Sequence, residues 1–134
     1  MKSKAVLQEA DVSAILAAAK TFAIENNWAV TIAVVDDGGH LLGLSRLDNA
    51  APISAHIAPA KANTAALGRR ASKIYEDVIN NGRTSFLSAP VLEGMLEGGV
   101  PIIVDDQVIG AVGVSGVQSS EDVQIAQAGL AALG

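Results

Sequence analysis

No cysteine occurs among the 134 residues. That excludes a disulfide framework, a thiolate nucleophile and a cysteine-ligated metal site. Aromatic residues are nearly as scarce. Phe22, Trp28, Tyr75 and Phe86 are the full set, so a core has to be assembled from Ala, Val, Ile and Leu. Nine Lys and Arg against fourteen Asp and Glu leave a net charge of −5. The cations are scattered and form no basic stripe, which argues against nucleic acid and anionic membrane as partners. No apolar run approaches the roughly 20 residues that span a bilayer. His40 and His56 have no second histidine at i+3 or i+4, so no metal site is expected. Neither a GxGxxG nor a Walker pattern occurs, which leaves nucleotide binding without a motif. Met1 to Glu9 carries lysines with no apolar stretch behind them, so a secretory signal is not expected and a cytoplasmic location is the default.

What is present is aliphatic. Half of the residues are hydrophobic, which is much apolar surface for a small chain, and part of it is expected in a homo-oligomer interface. The length predicts one domain over 1–134. Gly98 to Gly116, GGVPIIVDDQVIGAVGVSG, reads as a β-hairpin. Its arms are Val100–Val104 and Val108–Val114, rich in β-branched residues, around an Asp105-Asp106-Gln107 turn. Gly110, Gly113 and Gly116 punctuate the second arm, which points to close approach of another backbone or a ligand. A second hairpin is predicted over Ala29–Arg46. Its first strand, Ala29–Asp36, is almost continuously apolar and therefore central, the turn is Asp37-Gly38-Gly39-His40, and the returning strand is Leu41–Arg46.

Helices are predicted around these hairpins. Leu7–Asn26 has an apolar face at helical spacing. An alanine-rich helix runs from about Pro52 to Leu67, with a kink or late start expected at Pro59. Tyr75–Ile79 suits a short helix, and Ser119-Ser120-Glu121-Asp122 starts the last one, with acids where the helix dipole favours them. Two hairpins with flanking helices make an α+β fold with a mainly antiparallel sheet.

Several residues are candidates for chemistry. Asp36 ends the central strand: it reads either as an acid/base group with its pKa raised by burial or as a turn cap. Arg46 suits a bidentate carboxylate clamp or a surface ion pair with Asp48. Lys61 lies among alanines, either reaching outward to water or held as a cation beside Asp36 or an anionic ligand. Thr64, three residues on, shares that helix face. His56 is a candidate proton shuttle by residue type, although a lone histidine is more often a satisfied surface or core group. Backbone N–H groups around Gly99 and Ser115 suit an anion cradle or plain hairpin geometry.

VVDDGGHLL (Val34–Leu42), SRLD (Ser45–Asp48), AKANTAA (Ala60–Ala66) and the Gly98–Gly116 stretch, in that order, resemble the GlcG/HbpS family. These proteins are also called haem-degrading-like and are similar to the C-terminal domain of PduO. The resemblance covers nearly the whole chain. It implies a profilin-like α/β/α fold with a five-stranded antiparallel sheet, dimers or larger homo-oligomers, and a small-molecule pocket near a subunit boundary. It also favours a functional Lys61, which lies inside a matching motif. Three functions follow. The first is a cofactor-independent lyase, similar to 4-hydroxylaminobenzoate lyases, that releases ammonia from a carboxylated aryl hydroxylamine. Asp36 or His56 would move protons, Lys61 would supply charge, and Arg46, Thr64, Gly99 and Ser115 would hold substrate. The second is a haem or tetrapyrrole binder, with Arg46, Lys61, Arg69 and Arg70 as cations for the propionates. Haem-binding relatives imply an axial histidine in the first helix, and no histidine precedes His40 here. The third is a non-catalytic accessory module.

Overall fold

Four strands form one antiparallel sheet in the computed structural model, which describes residues 1–133. They are β1 (Thr31–Asp36), β2 (Leu41–Arg46), β3 (Gly99–Val104) and β4 (Gln107–Ser115), arranged β2-β1-β4-β3. The five strands expected from the resemblance are thus four. The chain between the hairpins goes instead to α3 (Lys73–Asn80) and a 3-10 turn at Thr84–Ser88. That segment lacks the period-2 run of β-branched residues that a strand needs.

Both hairpins form where the sequence places them. Asp105 and Asp106 have φ of 51° and 61°, the left-handed pair that a two-residue hairpin turn requires. The turn is therefore one residue shorter than expected, and Gln107 pairs with Val104 as the first residue of β4. The β1–β2 turn is closed by Asp36 N–H to His40 O at 2.9 Å, with Gly39 at φ +81°.

The sheet is covered on both faces. The other helices are α1 (Glu9–Glu25), α2 (Ser54–Gly68) and α4 (Ser119–Leu130). Ile32 and Val34 of β1 and Val112 and Val114 of β4 join Val12, Ile15 and Ala19 of α1 and Ile125 and Ala126 of α4 in the main core. The alternate side chains, Val35 and Ala111, meet Ala62, Ala65 and Ala66 of α2. Because β1 is buried on both faces, its sequence lacks polar alternation. Pro59 lies inside α2, which continues unbroken across it to Gly68, so the expected late start is not seen.

Small residues let α2 lie directly on the sheet backbone. A Cβ added at Gly113 would overlap the Ala58 carbonyl, one at Gly99 the Lys61 carbonyl, and one at Gly94 the Ala60 carbonyl. These clashes involve backbone, which cannot swing aside. Gly113→Ala is therefore expected to destabilise the fold by about 1–3 kcal/mol. A fall in the urea midpoint at unchanged m-value measures it, and an unchanged midpoint would mean that α2 is not seated this closely.

Candidate functional site

The residues expected to build one site fall into three places. The first is the tip of β1. Asp36 Oδ1 accepts N–H bonds from Gly38 and His40, both at 2.9 Å, and His40 Nδ1 lies 3.1 Å away. Burial pushes the Asp36 carboxyl up, but the two backbone N–H groups and the His40 side chain outweigh it and hold the pKa below its ordinary value. The raised pKa expected of an acid/base group is thus not found, and the turn-cap geometry is. Asp37 forms an ion pair with Lys4 at 2.7 Å, and its carbonyl accepts from the Arg69 guanidinium.

The second place is inside the protein. Lys61 is 3% exposed. Its Nζ donates to Val114 O at 3.0 Å and to Asp122 Oδ2 at 3.1 Å. The acid that meets this lysine is therefore Asp122 of α4, where Asp36 was expected. The other carboxylate oxygen, Oδ1, accepts Val117 N–H at 3.3 Å. Burial raises the Asp122 pKa, against the pull of the Lys61 charge and hydrogen bond and of Val117 N–H. Three expected residues do gather around Lys61. Thr64 is buried and its Oγ1 accepts Gly94 N–H at 3.2 Å. Gly99 backs onto the Lys61 carbonyl, and Ser115 follows Val114 in β4. They make a packed contact between α2 and the sheet. His56 sits exposed in the first turns of α2.

The third place is a cleft of about 360 Å³ between the C-terminal end of α1 and the end of β2. Lys20, Ile24, Asn27, Trp28, Ala29, Ser45, Arg46, Leu47, Asp48 and Asn49 line it. Arg46 Nη2 donates to Ala50 O at 2.9 Å. That bond anchors the guanidinium and leaves it further donors for a ligand. The ion pair of Arg46 with Asp48 that its sequence also suits is not formed among the described residues. The Trp28 backbone N–H donates to Ala23 O at 2.9 Å, and its ring makes an edge contact with Phe22, centroids 6.0 Å apart. Of the expected site residues, Arg46 is the one that lines this cleft. Lys20 and Trp28 were not anticipated. The signal for them was the sole tryptophan of the chain following the Asn26-Asn27 helix stop, eight residues after an exposed lysine. Among the described residues, no group of three His, Cys, Asp or Glu is placed to hold a metal ion, and no helix is long and apolar enough to cross a membrane.

Comparison with known proteins is consistent across sequence and structure. The family model described as "Haem degrading protein HbpS-like" matches residues 7–131. Protein GlcG of Escherichia coli K12 is 61% identical over 115 residues, 86% of this chain and 85% of the relative. The HbpS of Streptomyces reticuli, solved as a double mutant, superposes with a TM-score of 0.89 at 28% identity, over all of this chain and 91% of the other. A structure described as a PduOC:heme complex superposes with a TM-score of 0.83 at 29% identity, over 96% and 95% of the two chains.

The Asp36 geometry has a pH signature. A carboxylate whose folded pKa lies below the unfolded value of 3.8 stabilises the fold above that value and loses its contribution as pH falls through the folded pKa. The Tm of the wild type should exceed that of Asp36→Asn at neutral pH, and the gap should narrow below about pH 4. A gap that is constant from pH 7 to pH 2.5 would show that the ionised carboxylate does not hold the turn.

Proposed function

The chain belongs to the HbpS-like family, and from that premise we propose that it binds a flat, carboxylated small molecule in the cleft between α1 and β2. The observation that carries this reading is that two cationic residues, Lys20 and Arg46, line one recess together with Trp28. Guanidinium and ammonium groups hold carboxylates, and an indole face with Ile24 and Leu47 receives an apolar body. Haem is the first candidate, since a haem complex is known for a related structure and the family description names haem.

The cleft residues fit one end of a haem and not its centre. Lys20 and Arg46 suit the propionates. No histidine, cysteine, methionine or tyrosine lines the cleft, so this recess offers the iron none of its customary axial side chains. Haem would be gripped here by its carboxylate edge.

A second reading keeps the chemistry expected from the resemblance: a lyase that releases ammonia from a carboxylated aryl hydroxylamine. The cleft volume favours it, because about 360 Å³ lies at the small end of ligand pockets and suits a single ring. In this reading Arg46 clamps the carboxylate and Asp48, at the rim, is the acid at hand. Asp36, His56 and Lys61 would act on it only from outside the cleft lining. The exposed Leu41, Leu42 and Leu44 on the open edge strand β2 support a homo-oligomer in either case.

The test is a titration of the purified protein with haemin, 4-aminobenzoate and cobalamin, followed by calorimetry and by the Soret band. Haemin or 4-aminobenzoate should bind, and Arg46→Ala and Lys20→Ala should each weaken the bound ligand about tenfold or more, the worth of a charge-assisted hydrogen bond. Ammonia release from 4-hydroxylaminobenzoate would decide for the lyase. Undiminished binding in both variants would remove the cleft from the account.

A further inference from the structure

We infer that Lys61 and Asp122 are positioning residues for the cleft, setting the place of Trp28 through the corner that joins β4 to α4. This rests on the cleft reading above for its consequence and on separate contacts for its mechanism. The Asp122 carboxylate is shared between two partners. Oδ2 meets Lys61 Nζ, and Oδ1 accepts Val117 N–H. The first bond neutralises the buried acid. The second fixes the Gly116–Val117 corner.

That corner bears on the cleft wall. Gly116 has φ +146°, and a Cβ there would lie 2.5 Å from Ala29 O and 2.9 Å from Val30 Cα. Ala29 and its neighbour Trp28 both line the cleft. Val117 and Trp28 pack against the same hydrophobic core. On the next residue, Val30 O accepts Leu47 N–H at 2.9 Å, and Leu47 is on the opposite side of the lining. The corner therefore presses on the short segment that carries one wall and is bonded to the other.

Lys61 supplies what keeps the carboxylate in place. A buried, unpaired carboxylate is strongly disfavoured, and it either takes a proton or turns toward water. Either change alters its grip on Val117 N–H. Asparagine at 122 would keep an oxygen acceptor for that N–H without a charge that needs Lys61. This separates the proposal from a general loss of stability, because removing both charges should restore what removing one destroys.

The experiment uses the fluorescence of Trp28, the single tryptophan of the chain, and calorimetric titration with 4-aminobenzoate as the probe. Lys61→Met is expected to shift the emission maximum of the folded protein and to weaken the probe about tenfold. The double variant Lys61→Met with Asp122→Asn should return both toward wild type. Wild-type emission and affinity in folded Lys61→Met would overturn the inference, as would a double variant no better than the single one. If Lys61→Met does not fold, Asp122→Asn and Asp122→Ala are compared: both leave the Lys61 charge unpaired, and only the first keeps an acceptor for Val117 N–H, so Asp122→Ala should shift the emission further than Asp122→Asn, and equal spectra in the two would overturn it. If Arg46→Ala leaves the probe unaffected, the cleft reading fails, and the emission arm still decides whether the ion pair sets Trp28.

Discussion

The fold depends on a helix backbone lying close against the sheet through glycine and other small residues. Gly99 and Gly113 of the sheet, and Gly94 in the loop before β3, are places where a carbonyl of α2 would be met if they carried a Cβ. Such close seating gives dispersion contact at the density of a protein interior, but it leaves little room for a long side chain. Lys61 is the exception. A Cβ added at Gly98 would lie 2.7 Å from its Nζ and 2.8 Å from its Cδ, so the missing side chain at that position is the passage by which the lysine leaves α2 and reaches α4. The ion pair and the glycines are one arrangement.

Two carboxylates show how surroundings, and not residue type, decide what an acid does here. Asp36 ends a buried strand at a half-exposed position and is met by two backbone N–H groups, so its charge is favoured. Asp122 is almost fully buried, with desolvation the dominant influence, and its neutral form is favoured relative to an acid in water. Only the first resembles a surface turn cap. The second is met by a cation, which reaches it past Gly98 and the Val114 carbonyl. An isolated buried charge pair contributes little net stability and much cost when one member is removed. Its placement beneath a turn is therefore better explained by what it holds still than by what it adds.

The sheet hairpins were legible because their signals are local. Alternating glycine and β-branched residues, an Asp-Asp turn and an Asp-Gly-Gly turn specify pairing within a dozen residues, and the uninterrupted TIAVV of β1 announces burial on both faces. The α+β arrangement follows from those elements. The strand count did not, since it came from likeness and not from any β pattern over residues 71–97. The site was legible only in part. Lys61 stands out because a lysine amid alanines needs an explanation; its sequence allows an outward reach to water, or a cation beside Asp36 or an anionic ligand, and the structure instead buries it beside Asp122. The sequence points to Asp36 because it closes the strand that looks central, whereas Asp122 has the pattern of an ordinary dipole-favoured residue in a first helical turn. A search for acids that follow a glycine-rich strand end, beside VQIAQAG and its apolar spacing, would have raised Asp122. The cleft was hidden for a different reason. Its residues come from the end of α1, the start of β1 and the end of β2, and no sequence pattern joins Lys20, Trp28 and Arg46 before the chain folds.

Those three residues are held by separate elements, and that separation has a functional consequence. Trp28 is tied to α1 through Ala23 O and Phe22, while Arg46 is tied to the loop after β2 through Ala50 O. The span between them is set by Val30 O and Leu47 N–H, one hydrogen bond across the base of the cleft. The corner at Gly116 presses on the same segment from the far side. Under the proposed reading, a cleft braced in this way would meet a flat ligand with its walls already ordered, which limits the entropic cost of association. The bracing contacts lie in the sheet and the buried ion pair, whereas the groups proposed to meet a ligand, Lys20, Arg46 and Asp48, lie in the cleft lining, so the scaffold and the proposed ligand contacts are carried by different residues.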